Sequence, residues 1–311
     1  MNRISGRSVL VTGGAGFLGS NIARLLLSEG AEVTLLDNCG PGQEKNILDI
    51  IGRVVLIRGD ITDEDTVKKA ARGKEVIVHA AFPVIQCNRS LENQYIATGT
   101  VGLFNILKAA LEQQALVIYV SSISVYGKQL YTPIDENHPV DPSLVYGATK
   151  LAGEFYCRVM AREYGLKNVT LRYSDLYGPG LGRSNAPVAF LERALSGLPL
   201  LVRGGGKQVR SYLFVTDAAQ AVLQAIENPA AQGMVFNVGG DETITIMDLA
   251  LKAKEITGSN SEIISEEGWV DEREYRIDST LARSILGFCP GVDLNTGLGK
   301  TLAWLKGGRQ A

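Results

Sequence analysis

The chain has 311 residues, and its 31 lysines and arginines nearly balance its 33 acidic residues, giving a formal net charge of −2. This length suits one large α/β unit or two domains. The charge balance argues against nucleic acid and anionic membranes as partners, because both require a basic surface. Since no apolar run approaches the ~20 residues of a membrane span, we expect no membrane partner.

The chain contains four cysteines and two histidines. The cysteines are far apart and form no Cys-x-x-Cys pair, which argues against a zinc site and a disulfide framework and favours a reducing cytoplasm. Two histidines are too few for a histidine-based metal site, so we predict no bound metal. The residues concerned are Cys39, Cys87, Cys157, Cys289, His79 and His138.

Short β-branched segments alternate with longer helical patterns through the first half of the chain. In order they are "SVLVT", a helix over 17–28, "EVTLLD", "VVLIRGD", a helix in "DEDTVKKAARG", "EVIVHAA", a helix over 94–113 and "LVIYVSS". The strands are apolar throughout, which indicates burial on both faces of a parallel sheet with helical crossovers. The sequence therefore predicts an α/β protein with a Rossmann-type doubly wound sheet.

The regular alternation of strands and helices ends in the second half of the chain. A long helix is predicted over 145–164, followed by the strand "NVTLRY" and the turn "YGPG". A helix should begin near Pro187, where proline suits a first turn, and end at Gly197. Beyond it lie short strands and a helix over 248–255, which predict a smaller mixed α/β region.

The segment "VLVTGGAGFLG" joins the first strand to the first helix. Gly14, Gly16 and Gly19 have the G-x-G-x-x-G spacing, and the same loop also reads as Gly-x-x-Gly-x-x-Gly from Gly13. Residues without a Cβ let the backbone N–H groups and the helix N-terminus approach a pyrophosphate. Asp37 ends the second strand, where a carboxylate accepts hydrogen bonds from ribose hydroxyls. Because Asp37 would repel a 2′-phosphate, it favours NAD over NADP.

Tyr146 and Lys150 lie one turn apart on the long helix, in "VYGATK". A neighbouring ammonium and an oxidised nicotinamide both favour the phenolate, so such a tyrosine is a candidate base. The pair alone is common enough to be a solvated helix face. The glycine loop and the hydroxyls of "YVSSISVYG" favour the catalytic interpretation.

These motifs together resemble the extended short-chain dehydrogenase/reductases, and within them the NAD-dependent sugar-nucleotide epimerase/dehydratase branch. The resemblance spans nearly the whole chain. It is carried by the glycine loop, Asp37, "HAA" at 79–81, "SSISVYG", Tyr146-x-x-x-Lys150, "LRYSDLYGPG" and "QVRSYLFVTD".

The resemblance implies a two-domain enzyme that holds NAD tightly. It places the NAD-binding Rossmann domain in residues 1–173 plus about 211–240, and the substrate domain in about 174–210 plus 241–311. It implies a nucleoside-diphosphate sugar as substrate and a homodimer built through a four-helix bundle from segments 99–110 and 146–161. The implied cofactor contacts are Gly13, Gly16, Phe17, Leu18, Gly19, Asp37, Asn38, Asp60, Ile61, Ala80, Ala81, Tyr146 and Lys150.

The resemblance also divides the branch by the residues near the catalytic serine. Ser122 would bond the reacting sugar oxygen beside Tyr146, and Lys150 would hold the nicotinamide ribose. Dehydratases carry Asp-Glu where this chain has Ile123 and Ser124, because removing water needs a second acid and base. Decarboxylases place Glu at Ser124 and epimerase-reductases place Cys there, so what remains is reversible oxidation at one carbon, as in a 4-epimerase.

Several substrate positions depart from the family pattern. Asp175 stands where the family usually has an asparagine, and a carboxylate repels phosphate and cannot donate as an amide does. Gly99 also replaces a usual asparagine. The candidate substrate contacts are Ser122, Ser124 and Asp175, Arg210 and the loosely matched Arg273 at the diphosphate, and Arg183 at a sugar carboxylate.

Three functions stay open from the sequence. The first is epimerisation at C4 of a UDP-hexose or UDP-hexuronate. The second is an NAD(P)-dependent reductase or dehydrogenase, or another sugar-nucleotide-modifying enzyme of the family. The third is a noncatalytic NAD-binding regulatory or scaffold protein, against which the intact Tyr146 and Lys150 weigh.

Overall fold

The structure, a computed structural model, describes residues 4–40, 43–83, 89–181, 185–266 and 274–307. Within these residues, a parallel sheet of seven strands forms the centre of the fold. In spatial order its strands are β10 (Val235–Val238), β6 (Asn168–Tyr173), β5 (Leu116–Ser122), β4 (Val76–His79), β1 (Ser8–Thr12), β2 (Glu32–Asp37) and β3 (Val55–Arg58). This doubly wound sheet confirms the predicted α/β Rossmann-type fold.

Helices cover both faces of the sheet because its strands are apolar on both sides. Along β1, Val9 and Val11 point into one core and Leu10 into the other, and all three are fully buried. The first core includes side chains of α1 (Phe17–Ser28) and α7 (Val215–Glu227). The second is closed by α2 (Glu64–Ala71), α4 (Leu103–Gln113) and α5 (Val145–Tyr164).

The remaining elements lie mostly in the second half of the chain and pack around a core of their own. That core contains Val188, Leu200, Leu249 and Leu298. A mixed sheet joins β11 (Thr243–Thr245), β9 (Val209–Phe214) and β7 (Asp175–Tyr177), and β12 (Ile263–Glu266) pairs with β8 (Leu200–Arg203). The helices around this core are α6 (Ala186–Leu195), α8 (Ile246–Thr257) and α10 (Leu294–Gly307), whereas α9 (Thr280–Leu286) packs into the first core of the central sheet. The domain boundaries given above stay a prediction.

The single helix predicted over 94–113 is interrupted. It consists of α3 (Glu92–Ile96), a wider π-helical segment at Ala97–Gly102, and α4. Gly99 and Gly102 lie in that segment with no room for a side chain: a Cβ at Gly99 would be 2.1 Å from Thr149 Cγ2, and one at Gly102 would be 2.6 Å from Ile61 Cδ1. The break therefore brings the backbone against its neighbours, and such segments occur often at functional sites.

Over the described ranges, no helix has both the length and the apolar composition to cross a bilayer. In the same ranges, no three histidine, cysteine or acidic side chains converge as metal ligands do.

The functional residues predicted above gather at the carboxyl edge of the central sheet. The strand order reverses between β1 and β4, and parallel sheets bind ligands outside the strand ends at such a point. Asp37 ends β2, His79 ends β4 and Ser122 ends β5, so all three reach this edge.

Candidate active site

The glycine loop is a tight turn with no space for side chains. Gly13 has a φ of +67°, and a Cβ there would lie 2.7 Å from the Ala81 backbone. A Cβ at Gly19 would lie 2.1 Å from the carbonyl oxygen of Gly13. The N-cap of α1 is Gly16, which has no side chain to cap the helix. First-turn N–H groups therefore face the loop, an arrangement that fits a pyrophosphate.

Asp37 is buried beside this loop. Its Oδ2 accepts a 2.9 Å hydrogen bond from the backbone N–H of Ala15, and its Oδ1 accepts one of 2.7 Å from that of Cys39. These bonds fix the carboxylate at the end of β2. The neighbouring Asn38 donates to Asp60 at 3.3 Å, which joins the ends of β2 and β3.

A cleft of about 650 Å³ runs along this edge. Every predicted cofactor contact except Tyr146 and Lys150 lines it. The predicted residues on its wall are Gly13, Gly16, Phe17, Leu18, Gly19, Asp37, Asn38, Asp60, Ile61, Ala80 and Ala81. The glycine cradle, the buried carboxylate and the size of the cleft all fit a dinucleotide, although the individual contacts stay predictions.

Ser122, Tyr146 and Lys150 come together between β5 and α5. The hydroxyls of Ser122 and Tyr146 are hydrogen-bonded, and Ser124 Oγ lies 3.2 Å from Ser122 Oγ. The Lys150 ammonium donates to the carbonyl of Val120 at 2.9 Å. Since Ser124 is also buried, a second hydroxyl stands directly behind the first.

Burial shifts both titratable groups toward their neutral forms. It raises the pKa of Tyr146 to about 12, although the hydrogen bond with Ser122 acts in the opposite direction. It lowers the pKa of Lys150 to about 7, against the charge of Glu154, which raises it. The pKa of His79 falls to about 3 for the same reason, so this buried histidine stays neutral. The sequence predicted a lowered pKa for the Tyr146 phenol. Such a lowering therefore requires more positive charge than the protein alone places beside Tyr146.

Asp175 and Arg210 form an ion pair at the mouth of the site. Strands β7 and β9 run parallel, which brings Asp175 Oδ2 to 3.7 Å from Arg210 Nε. The guanidinium also lies 5.2 Å from the ring centroid of Tyr275. The charge of Asp175 contributes to the raised pKa of Tyr146, so this carboxylate acts on the catalytic tyrosine as well.

Most N–H groups in the first turn of helix α6 are missing or already bonded within the chain, because Pro187 has none and Ala189 donates to the carbonyl of Asn185. Its N-cap is Asn185, whose side chain accepts from the N–H of Val188, and Pro187 stands in its first turn as predicted. Arg183 and Arg273 lie outside the described residues, so their predicted contacts stay predictions.

Two features of the site were missed by the sequence analysis. Phe82 follows Ala81 directly and packs against both Tyr146 and Lys150; its position just beyond the end of β4 was a usable signal. The second is a buried pair one turn beyond Lys150 on the same face of α5, where Arg172 donates to the two Glu154 oxygens at 2.9 and 2.6 Å. No local pattern marks that pair, because it joins a helix to a strand.

A doubly wound sheet with a glycine loop, a strand-end aspartate and a Ser/Tyr/Lys set at its carboxyl edge defines an extended short-chain dehydrogenase/reductase. The family model described as "NAD dependent epimerase/dehydratase family" matches residues 9–239. The chain belongs to this family, and NAD is its cofactor.

The chain is similar over nearly its whole length to proteins with different reactions. It is 31% identical to a putative UDP-glucose 4-epimerase of Methanocaldococcus jannaschii, covering 96% of this chain and 98% of that one. It is 31% identical to a UDP-N-acetyl-alpha-D-glucosaminuronate decarboxylase of Bacillus cytotoxicus, covering 96% and 97%. The crystal structure of Thermotoga maritima UDP-glucose 4-epimerase with UDP-glucose matches with a TM-score of 0.90 and 30% identity, covering 97% and 99%.

Proposed function

We propose that the protein is an NAD-dependent epimerase that inverts C4 of a UDP-hexose or UDP-hexuronate. The observation that carries this proposal is the content of the segment after Ser122. Ile123 and Ser124 are both buried against the site and neither has an acidic side chain. With Tyr146 as the acid–base group, the site has what oxidation and reduction at one carbon require, and positions 123 and 124 lack the acids that dehydration or decarboxylation employ in the family.

The chain's own residues handle the proton. Ser122 is placed to hydrogen-bond the C4 oxygen, and Tyr146 to take the hydroxyl proton as the carbon is oxidised and to return it after the sugar has turned over. NAD, held in the cleft that the glycine loop and Asp37 line, would supply hydride transfer at C4 and the positive charge of its oxidised form. That charge and the Lys150 ammonium lower the phenol pKa from the value that burial imposes.

Arg210 is the candidate contact for the diphosphate. Its side chain is nine-tenths buried and lies beside Asp175. A guanidinium matches phosphate oxygens in geometry and charge. We therefore assign Arg210 to the diphosphate, and Ser122 and Ser124 to the sugar.

We further infer a homodimer that pairs the 92–113 segment and α5 with the same elements of a second copy. Both elements expose large apolar side chains, which a monomer leaves in water. The rings of Phe104 and Tyr156 are 6.5 Å apart, so the two sets form one continuous patch. Its exposed members are Ile96, Val101, Phe104, Val145, Phe155, Tyr156 and Val159.

A cytoplasmic location is the final part of the proposal. The cysteines that the structure describes, Cys39, Cys157 and Cys289, are all free thiols. Free thiols persist in reducing compartments.

The test is a panel of UDP-, dTDP-, GDP- and CDP-sugars followed by NMR. We expect the protein to convert one or more UDP-sugars to an equilibrium mixture of the two C4 epimers, with no net consumption of NAD or NADH. Tyr146→Phe should remove this conversion while the circular dichroism spectrum is retained. If the native chain converts no sugar in the panel, the proposal is wrong.

A second candidate is a reductase for another carbonyl, which the Asp175–Arg210 pair favours because it reduces the positive charge available to a diphosphate. This reductase function would be supported if the protein steadily consumed added NADH with a carbonyl substrate. An epimerase instead recycles its bound cofactor.

A further inference from the structure

Phe82 lies where the cofactor cleft meets the catalytic residues. It follows β4 by three residues, and its side chain lines the cleft next to Ala80 and Ala81. The carboxyl end of a strand at a point of order reversal is where such sheets place ligand contacts. The sequence motifs assign no role to this residue.

The ring of Phe82 contacts two residues of the catalytic set and a supporting tyrosine. Lys150 Nζ lies 4.2 Å from its centroid, within the ~6 Å over which a cation is attracted to an aromatic face. The ring of Tyr146 meets it edge-on at 5.3 Å and 83°. Tyr95 stacks against it at 5.6 Å and 19°, so the ring is held from more than one side.

Gly99 leaves the space that this ring requires. A Cβ at Gly99 would lie 3.1 Å from Phe82 Cε2, closer than most real Cβ contacts, and would also meet Thr149. The π-helical segment that carries Gly99 thus sets the depth of the ring beneath Lys150. This also explains why the asparagine usual in the family does not fit at position 99.

The buried Lys150 has few other groups to balance its charge. On its own helix, Glu154 is already bonded to Arg172 through both oxygens, and the Tyr146 hydroxyl is bonded to Ser122. From β5, the Val120 carbonyl accepts a hydrogen bond from the ammonium, and the centroid of the Tyr119 ring lies 5.5 Å from Lys150 Nζ.

Among the described titratable neighbours, Glu154 provides the negative charge that favours the ammonium and shares it with Arg172, whereas Tyr119 and His79 provide none. Burial raises the pKa of Tyr119, so its phenol is neutral. From β4, His79 is neutral as described above. Of the two described aromatic rings beside the Lys150 ammonium, that of Phe82 is nearer, at 4.2 Å against 5.5 Å for Tyr119.

We propose that Phe82 is a positioning residue for Lys150: its ring face holds the buried ammonium in its charged form and fixes it beside Tyr146. The contact between Phe82 and Lys150 is independent of the substrate. Only the role of this contact in catalysis rests on the proposed function.

The balance is close enough for the ring to matter at neutral pH. Burial lowers the pKa of Lys150 to about 7, so the ammonium and the amine are similarly populated there. A cation–π contact is worth about 0.5 to 2 kcal/mol. One pKa unit corresponds to about 1.36 kcal/mol, so loss of the cation–π contact lowers the pKa of Lys150 by about 0.4 to 1.5 units.

The test is an NMR titration of the full chain, as purified, with lysines labelled at Cε by ¹³C. A Lys150→Met sample assigns the signal. The variants are Phe82→Leu, which removes the ring face, and Phe82→Tyr, which keeps it. Phe288→Leu is the matched control, because Phe288 is buried in the main core away from Lys150.

We expect the Lys150 midpoint to fall by about 0.4 to 1.5 pH units in Phe82→Leu. It should stay near the native value in Phe82→Tyr and Phe288→Leu. An unchanged midpoint in Phe82→Leu overturns the proposal, and so does a raised one, because a rise means that the ring acts only by excluding water.

The alkaline limb of kcat should move to lower pH in Phe82→Leu in step with the midpoint. The titration uses no sugar, so it succeeds or fails independently of whether the chain is an epimerase.

Discussion

Replacing Asp175 by asparagine tests how the mouth of the site treats a diphosphate. In the structure the Asp175 carboxylate lies 3.7 Å from the Arg210 guanidinium, and the two side chains are 33% and 10% exposed. The substitution keeps the shape, removes one negative charge and restores the amide common in the family. Arg210 then loses the negative charge of Asp175 beside it, which favours an approaching phosphate.

The magnitude follows from Coulomb's law. Two unit charges 3.7 Å apart attract by about 1 kcal/mol at the dielectric constant of water and by about 4 kcal/mol at a value of 20. Because Asp175 is one-third exposed, the smaller attraction energy, calculated for water, is the better guide. It agrees with the ~0 to 1 kcal/mol measured for exposed ion pairs. About 1 kcal/mol corresponds to roughly fivefold in affinity, so we expect UDP to bind roughly three- to tenfold more tightly to Asp175→Asn.

The assay is calorimetric titration of UDP into the native chain, Asp175→Asn, Arg210→Met and the double variant. The gain from Asp175→Asn should shrink in about 0.5 M salt, because exposed charges are screened. It should also shrink in the Arg210→Met background if Asp175 acts through Arg210. Equal or weaker UDP binding by Asp175→Asn would refute the reasoning, since Asp175 would then contribute a contact that asparagine cannot replace.

Three further predictions concern packing and assembly. Gly99→Ala should lower the free energy of unfolding by about 1 to 3 kcal/mol through overpacking, and Thr149→Ser should restore part of it in a thermal melt by removing the methyl that the new Cβ meets. Glu154→Gln should cost about 3 to 5 kcal/mol in a urea titration, because it leaves the buried Arg172 charge without its partner; a loss under 1 kcal/mol would contradict this. If the chain forms the homodimer proposed above, Phe155→Glu should convert it to a monomer in light scattering, whereas an unchanged dimer mass would place the interface elsewhere.

The sequence predicted the glycine turn, the strand that Asp37 ends and the helix after the turn, because the determinants of these elements are local. A glycine loop, the strand before it and the helix after it occupy consecutive residues, and a strand-end aspartate such as Asp37 is recognisable from spacing alone. The predicted bounds of the long helix, 145–164, are likewise those of α5. Its C-terminal end is marked locally by Gly165, which adopts the left-handed conformation.

The substrate end depends on contacts between distant segments. Asp175 and Arg210 meet because β7 pairs with β9, and nothing in either segment indicates that pairing. The helix over 94–113 was predicted as continuous because Gly99 looks like an ordinary small residue in a helical pattern. Only its packing against Thr149 and Phe82 shows why the helix widens there.

The central claim is that one carbon is oxidised and reduced on the same protein without release of the hydride. The most direct measurement uses UDP-glucose or UDP-glucuronate carrying deuterium at C4, whichever the chain converts, followed by ¹H NMR and mass spectrometry of both epimers. The account predicts that the C4 epimer retains its deuterium in ¹H₂O with unlabelled NADH present. Loss of the label to solvent or to the NADH pool, or inversion at another carbon, would contradict it.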